Sequence, residues 1–366
     1  MASSAIGLNG PIGVQEGRNK IINGEFALWQ RGNSKSFSAT GGTTFDYTSD
    51  RWFYYSATAA GTTSAAVEIR KESFEFGTEP DSVPSPENYL KLILGTTGEG
   101  LTTDQQSQAY LEQRIENVNS FEGQSATISF WAKSSETSRV VQISAHQFFG
   151  TGVTASHVAG LTFGVTPTWT KYSGRITIPS VAGKTLGESS TSNHLALRFN
   201  LQSGSSAGYM YDTINWPAGA TEDFALTQVQ LEENSLPTNF EKLDEESEIQ
   251  RAGRFFEIVP VHPIAYGTAN NTASTHRLIK KRTSDYEVKF SEAGDFIARN
   301  ENRGLDAIDK RDDSVTAYVT DHNGANGNVV PKFTLDFGSG AGSNDLDGYI
   351  RLAVDDEIHI GSTGGN

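Results

Sequence analysis

Between residues 21 and 240 the sequence alternates apolar and polar side chains with a period of two, in short stretches separated by Gly, Ser, Thr and Asn. That period sends successive side chains to opposite sides of an extended backbone, so the text reads as strands with one buried and one wet face. In residues 126–133, Ala126, Ile128, Phe130 and Ala132 share one face, and Thr127, Ser129, Trp131 and Lys133 share the other. Residues 140–149 bury Val141, Ile143 and Ala145 and turn Val140, Gln142, Ser144 and His146 outward. Residues 195–201 bury Leu195, Leu197, Phe199 and Leu201 and turn out Arg198 and Asn200. Stretches 89–94, 110–117, 170–178 and 224–231 follow suit, which makes an all-β sandwich or barrel of at least eight strands.

One segment has helical period. Over residues 244–256, Asp244 can cap, Glu245, Glu246 and Glu248 complement the positive helix N-terminus, and Ile249, Ala252 and Phe256 recur on one stripe. It reads as a hinge helix between domains, and 366 residues suit roughly two. Beyond it a second set of strands is expected at 254–259, 277–281, 286–290, 295–300, 314–320, 332–337 and 349–360, separated by turns such as His322-Asn323-Gly324. The first 20 or so residues, with Gly7, Gly10, Pro11, Gly13 and Gly17, carry neither period. They read as an extended arm, either a frayed terminus or a peptide that orders on a partner subunit. The expected order is therefore all-β: an extended arm (1–20), a large sandwich (21–242), a linker helix (243–256) and a second, smaller β-sandwich (257–366).

Charge and composition narrow the function classes. Twenty-nine Lys and Arg against 44 Asp and Glu give a net charge of −15, the deficit shared by both halves, which is the wrong sign for nucleic acid. No apolar run approaches the roughly 18 residues of a membrane span, so no membrane insertion is expected. The start of the chain lacks the basic and apolar blocks of a secretory signal. With no cysteine there are no disulfides, thiolate nucleophiles or cysteine metal sites. Histidines at 146, 157, 194, 262, 276, 322 and 359 are scattered, with no ligand spacing. No phosphate-binding loop, H-E-x-x-H or calcium loop occurs, and no catalytic residue, metal ligand or cofactor is assigned. A glycan depolymerase needs only two suitably spaced carboxylates, but acidic clusters such as Asp355-Asp356-Glu357 read as solvated turns.

The aromatics say more. Five Trp, 12 Tyr and 20 Phe include Trp52-Phe53-Tyr54-Tyr55, Trp131, Trp169, Tyr209, Tyr211 and Trp216. Sugar binders combine such flat apolar faces with planar amide and guanidinium donors. The outward set Trp131, Gln142, His146, Arg114, Arg198 and Asn200 has that composition and is the candidate glycan-binding site. The competing reading is that a loop or a neighbouring subunit covers it.

Several motifs carry a family resemblance. Asn19-Lys20-Ile21-Ile22-Asn23-Gly24-Glu25-Phe26, Trp29-Gln30-Arg31-Gly32 and Ser49-Asp50-Arg51-Trp52 resemble a module of tailed-bacteriophage structural proteins, especially tail-fibre and tail-tip proteins. Tyr110-Leu111-Glu112-Gln113-Arg114-Ile115-Glu116, Ser129-Phe130-Trp131-Ala132-Lys133, Trp169-Thr170-Lys171-Tyr172-Ser173-Gly174 and Gln228-Val229-Gln230-Leu231-Glu232-Glu233 are similar to its later strands, and Pro237-Thr238-Asn239-Phe240-Glu241 to its exit. Glu248-Ile249-Gln250-Arg251 and Arg254-Phe255-Phe256-Glu257 resemble the segment that follows it.

The resemblance implies a jelly-roll sandwich like carbohydrate-binding modules, on the exterior of a virion assembled in a bacterial cytoplasm. Its implied partners are other virion proteins and host surface polysaccharide, its implied assembly a homotrimer. The alternative is a capsid decoration or head-fibre protein with no glycan ligand. Asn23 and Asp50-Arg51 are expected to tie turns together, and Trp29 and Trp52 to fill core. Related sugar-binding jelly rolls hold a structural calcium with an acidic residue where the last strand reads Asp-Asp-Val-x-Leu. This chain has Thr227-Gln228-Val229-Gln230-Leu231 there, which leaves Glu25 a poor substitute and the metal unassigned.

Overall fold

The computed structural model describes residues 17–258, apart from breaks at 38–41, 58–65, 78–79, 81, 95–107, 137–138, 151–152, 187–192 and 204–221, and beyond residue 258 the strands alone. Twelve strands form the sandwich. They are β1 (Ser34–Phe37), β2 (Thr43–Tyr47), β3 (Trp52–Ala57), β4 (Val67–Ser73), β5 (Asn88–Leu94), β6 (Gln108–Glu116), β7 (Ser125–Ser134), β8 (Arg139–Phe148), β9 (Ser156–Val165), β10 (Thr170–Thr177), β11 (His194–Ser203) and β12 (Glu222–Glu232). They make two antiparallel six-stranded sheets, sheet A in the order β1-β4-β5-β12-β7-β10 and sheet B in the order β2-β3-β6-β11-β8-β9.

The alternating apolar residues meet between the sheets, as the period of two requires. Ile69, Leu90, Leu92, Phe130 and Leu226 come from sheet A, and Trp52, Tyr54, Leu111, Ile143, Leu197 and Phe199 from sheet B, all fully or almost fully buried. Phe130 and Phe199 meet across the gap with ring centroids 5.2 Å apart, and Phe37 meets Tyr54 at 4.7 Å.

The motifs of the leading segment lock the sandwich ends together. Asn23 takes a left-handed backbone conformation (φ 57°). Its side-chain amide donates to Leu28 O and Asp50 O, and its Oδ1 accepts from Leu28 N. Gly24 lies so close to β12 that a Cβ there would sit 2.3 Å from Val229 O, which is why only glycine fits. Gln228, at φ 51°, sits in a bulge that shifts the β12 register against β7 between Thr227 and Gln230. Trp52 fills core and donates its indole N–H to Asn23 O at 3.2 Å, and the Trp29 indole donates to Phe26 O. Residues 1–16 of the expected arm lie outside the described residues. Its last four residues belong to the sandwich: Lys20 N donates to Leu231 O, and Arg18 to Asn239 O.

The helix α1 (Glu245–Gly253) is capped by Asp244, whose carboxylate accepts from Ser247 N. It ends before Phe256, which is buried and opens β13 (Phe256–Val261), and Ile249 stays 40 % exposed, so the expected three-residue stripe is not one helix face. Nor is the helix loosely hung. Glu248 accepts from Asn23 N, Arg251 donates to Asn19 O and Ile21 O, and Gln30 Oε1 accepts from Ile258 N. The Arg51 and Arg31 guanidiniums lie over the Phe255 and Phe256 rings at 3.4 and 3.5 Å.

Further strands are β14 (Ile264–Ala265), β15 (Asn271–Thr272), β16 (Tyr286–Phe290), β17 (Ile297–Arg299), β18 (Ile308–Asp309), β19 (Thr316–Asn323), β20 (Val329–Asp336) and β21 (Asn344–Val354). β21 pairs with β13, β14, β16 and β17, and β20 pairs with β15 and β19. The strand expected at 277–281 lies outside the described residues, and His322 and Asn323, expected in a turn, are the last residues of β19.

Candidate functional site

The outward side of sheet B carries the most organised surface chemistry. Cross-strand register fixes its rows, because directly opposed residues on one face have Cβ atoms about 5 Å apart. One row runs Phe45, Tyr55, Tyr110, Asn200, Gln142, and the next Tyr47, Phe53, Glu112, Arg198, Ser144. A third holds Arg114, Ala196, His146 and His157. The first row begins as a stack of aromatic rings: Phe45 on Tyr55 at 6.3 Å and Tyr55 on Tyr110 at 4.9 Å, each tilted by 12°. The Arg198 guanidinium continues the line, 4.2 Å from the Tyr110 ring centroid.

Below the aromatics lies a buried ion cluster. Glu112, 0 % exposed, accepts from Arg198 Nε through one oxygen and from Arg114 Nε, at 2.9 Å, through the other. Burial alone would raise the Glu112 carboxyl; the two guanidiniums more than offset it and hold it below its usual 4.5. His146 is likewise 0 % exposed, with Nε2 at 2.9 Å from Ser144 Oγ and Nδ1 against His157 Nδ1. Its pKa is driven far down, first by burial and then by the Arg198, His157 and His194 charges, so the ring is neutral. Asn200 donates to Gln142 O and Ser144 Oγ, while Asn200 Oδ1 and Gln142 Oε1, both buried, have no hydrogen-bond partner among the described residues. Such orphaned acceptors are costly in a folded protein.

Five of the six residues expected from sequence therefore come together: Gln142, His146, Arg114, Arg198 and Asn200 share this face. Trp131 does not. It lies on β7 in sheet A, opposite Lys171 and Thr227, so the sandwich separates it from the other five. Outward was also expected to mean wet, and here it does not: Gln142, His146, Arg198 and Asn200 are 1, 0, 7 and 0 % exposed. The half-buried members are Phe45, Tyr55, Arg114, Phe148 and His157. Phe45, Tyr55, Tyr110, Glu112 and His157 were missed as site residues. Tyr110 and Glu112 were legible, since they share the outward phase of Arg114. Trp169 packs with Phe74 and Tyr89 away from this face, and Tyr209, Tyr211 and Trp216 lie outside the described residues.

The calcium site of related jelly rolls would fall where Glu25 meets the β12 bulge. The donors do not fit. Glu25 Oε1 already accepts from Glu87 N, its Oε2 faces the Lys242 ammonium at 3.7 Å, and the β12 neighbour is the neutral amide Gln228. A hard divalent cation prefers several anionic oxygens to one carboxylate beside an ammonium.

No protein-family model matches the chain, and no curated protein does. Solved structures match in part. The tailspike protein 4 enzymatically active domain of bacteriophage CBA120 aligns at 14 % identity and TM-score 0.31, over 59 % of this chain and 21 % of its own. A putative sugar binding protein from Bacteroides thetaiotaomicron aligns at 16 % identity and TM-score 0.35, over 59 % of this chain and all (100 %) of its own. The family 11 carbohydrate-binding module of Clostridium thermocellum, in complex with a β-1,3-1,4-mixed-linked tetrasaccharide, aligns at 11 % identity and TM-score 0.28, over 54 % and 95 %. The chain thus spans about a fifth of the tailspike structure it matches.

Proposed function

We propose that the sandwich binds bacterial surface polysaccharide through the outward face of sheet B, as part of a tail-fibre, tail-tip or spike protein on a phage virion. The observation that carries the binding reading is the aromatic row Phe45, Tyr55, Tyr110 leading to Arg198, with Arg114 half-buried beside it. Sugar rings offer apolar C–H faces to aromatics and hydroxyls to guanidinium donors, and Tyr55 and Arg114 offer both on this face. The half-buried Phe45, Tyr55 and Arg114 are the members a polymer chain would meet first. The virion setting rests on the motif resemblance in residues 19–257. The role is adhesion and not cleavage, because Glu112 and Glu116 on this face are each tied to arginines.

A second reading has its own support. The burial of Gln142, His146, Arg198 and Asn200 is what a covered, purely architectural face would have, as in a decoration protein. One experiment separates them: labelled full-length protein is added to host cells beside a Tyr55→Ala variant of unchanged fold, with soluble host polysaccharide as competitor. Binding that the polysaccharide abolishes and the substitution weakens supports adhesion. Binding to cells that neither perturbs, or no binding at micromolar protein, moves the assignment to architecture. A homotrimer would add avidity, so a monomeric form is expected to bind at roughly millimolar strength.

A further inference from the structure

Between the leading segment and the first turn of α1 lies a cleft of about 240 Å³, lined among others by Glu25, Glu87, Glu245, Glu248, Lys71 and Lys242. Four carboxylates around one cleft invite a divalent cation, and the resemblance to calcium-holding jelly rolls points to the same place. We propose instead that the Lys242 ammonium is the resident cation here, tying Glu25 and Glu87 together, so that the sandwich is stable without calcium.

Three of the four carboxylates, Glu25, Glu87 and Glu248, are already committed to this chain's own donors. Lys242 Nζ lies 2.5 Å from Glu87 Oε1 and 3.7 Å from Glu25 Oε2. Glu25 also accepts from Glu87 N at 3.2 Å, so the side chain that pairs with Lys242 also holds the backbone of the segment before β5. Glu248 accepts from Asn23 N at 2.8 Å and pairs with Arg251 at 3.3 Å. Lys71 Nζ donates to Ala27 O at 2.6 Å, placing a second ammonium on the cleft wall. On the β12 side stands Gln228, whose amide donates to Pro84 O and carries no charge. Among the described residues no three His, Asp or Glu side chains converge as a metal group. An incoming divalent cation would have to displace an ammonium that chain connectivity holds in place, with Lys71 repelling it.

Position gives Lys242 its use. It follows the exit segment, where Glu241 N donates to Gln230 Oε1, and precedes the cap of α1. Its charge joins the end of the sandwich to the beginning (Glu25) and to the segment between β4 and β5 (Glu87), three points far apart in sequence.

The test is thermal unfolding of the full chain with chelator or with about 5 mM calcium, above the weak range of extracellular calcium modules. Neither addition should move the wild-type midpoint, Lys242→Met should lower it by about 2–4 °C, and Lys242→Arg should restore most of the loss. A wild-type midpoint that rises with calcium, or a Lys242→Met midpoint equal to wild type, overturns the proposal. Should Lys242→Met fail to fold, the calcium arm on wild type and the Lys242→Arg midpoint still decide it.

Discussion

On the outward side of sheet A, where β4, β5 and the start of β12 lie side by side, charges meet in water. Lys91 Nζ lies 2.8 Å from Asp223, both side chains about a quarter exposed, and Arg70 pairs with Glu72 at 2.7 Å with both about a third exposed. On the outward side of sheet B, Glu112 is fully buried between two arginines, and a neutral His146 is buried beside it. Both faces come from the same period-two text, and both are polar by composition. Alternation assigns a side chain to a face, then, but says nothing about how much water reaches that face. The consequence is energetic: an ion pair in water can be broken cheaply, whereas one held out of water leaves an unpaired buried charge.

The largest expected effect follows directly. Glu112→Gln leaves Arg198 and Arg114 without their carboxylate and should cost about 3–5 kcal/mol in denaturant unfolding. A cost below about 1 kcal/mol would place the cluster in the same class as the sheet A pairs. The pH dependence comes next. The folded pKa of His146 lies below its ordinary 6.5, so the unfolded chain takes up a proton that the fold refuses. Stability is then fully present above about pH 6.5 and falls with acid by up to about 1.4 kcal/mol per pH unit for this one ring. Glu112 adds to the loss at lower pH, because its depressed carboxyl contributes stability above 4.5 that disappears as pH drops through its folded value. The groups facing His146 are Arg198, His157 and His194, with Ser144 on Nε2. His146→Gln should flatten the slope between pH 6.5 and 5, and an unchanged slope would assign it elsewhere.

How much of this was legible in the sequence divides along the same line. The strands at 126–133, 140–149 and 195–201 appear within one or two residues, because alternation over seven or more residues is a strong signal. The short β1 and β2 and the bulged β9 were not picked out, since four or five residues, or a register shift near Gly160, give little period to read. Asp244 as a cap could be read because capping is local. That Phe256 leaves the helix stripe for β13 could not, because Arg31 and Arg51, more than 200 residues earlier, draw the Phe256 and Phe255 rings onto the sandwich. The misplacement of Trp131 has the same origin: outward phase is local, but the assignment of β7 to sheet A and of β6, β8 and β11 to sheet B depends on topology.

That separation makes a smaller, sharper test. Tyr55 is half-buried in the middle of the aromatic row, so Tyr55→Ala should weaken polysaccharide binding roughly tenfold, the size of one aromatic contact. Trp131→Ala, on the other sheet, should leave binding unchanged. If the Trp131 variant is the one that loses binding in a direct titration, the ligand face is sheet A and the buried cluster of sheet B is scaffold.

The smallest effect measures the contrast itself. Lys91→Ala and Asp223→Ala should each cost under about 1 kcal/mol, and their double-mutant coupling should be smaller still, since an exposed pair recovers in solvation most of what it loses in contact. The equivalent cycle on Arg198 and Glu112 should give a coupling several times larger. Removing Glu112 strands the buried Arg198 guanidinium, removing Arg198 leaves Glu112 with Arg114 alone, and the double variant removes both members of the pair at once. Equal couplings on the two sheets would mean that water reaches Glu112 as freely as it reaches Asp223, and would remove the physical basis for treating the faces differently.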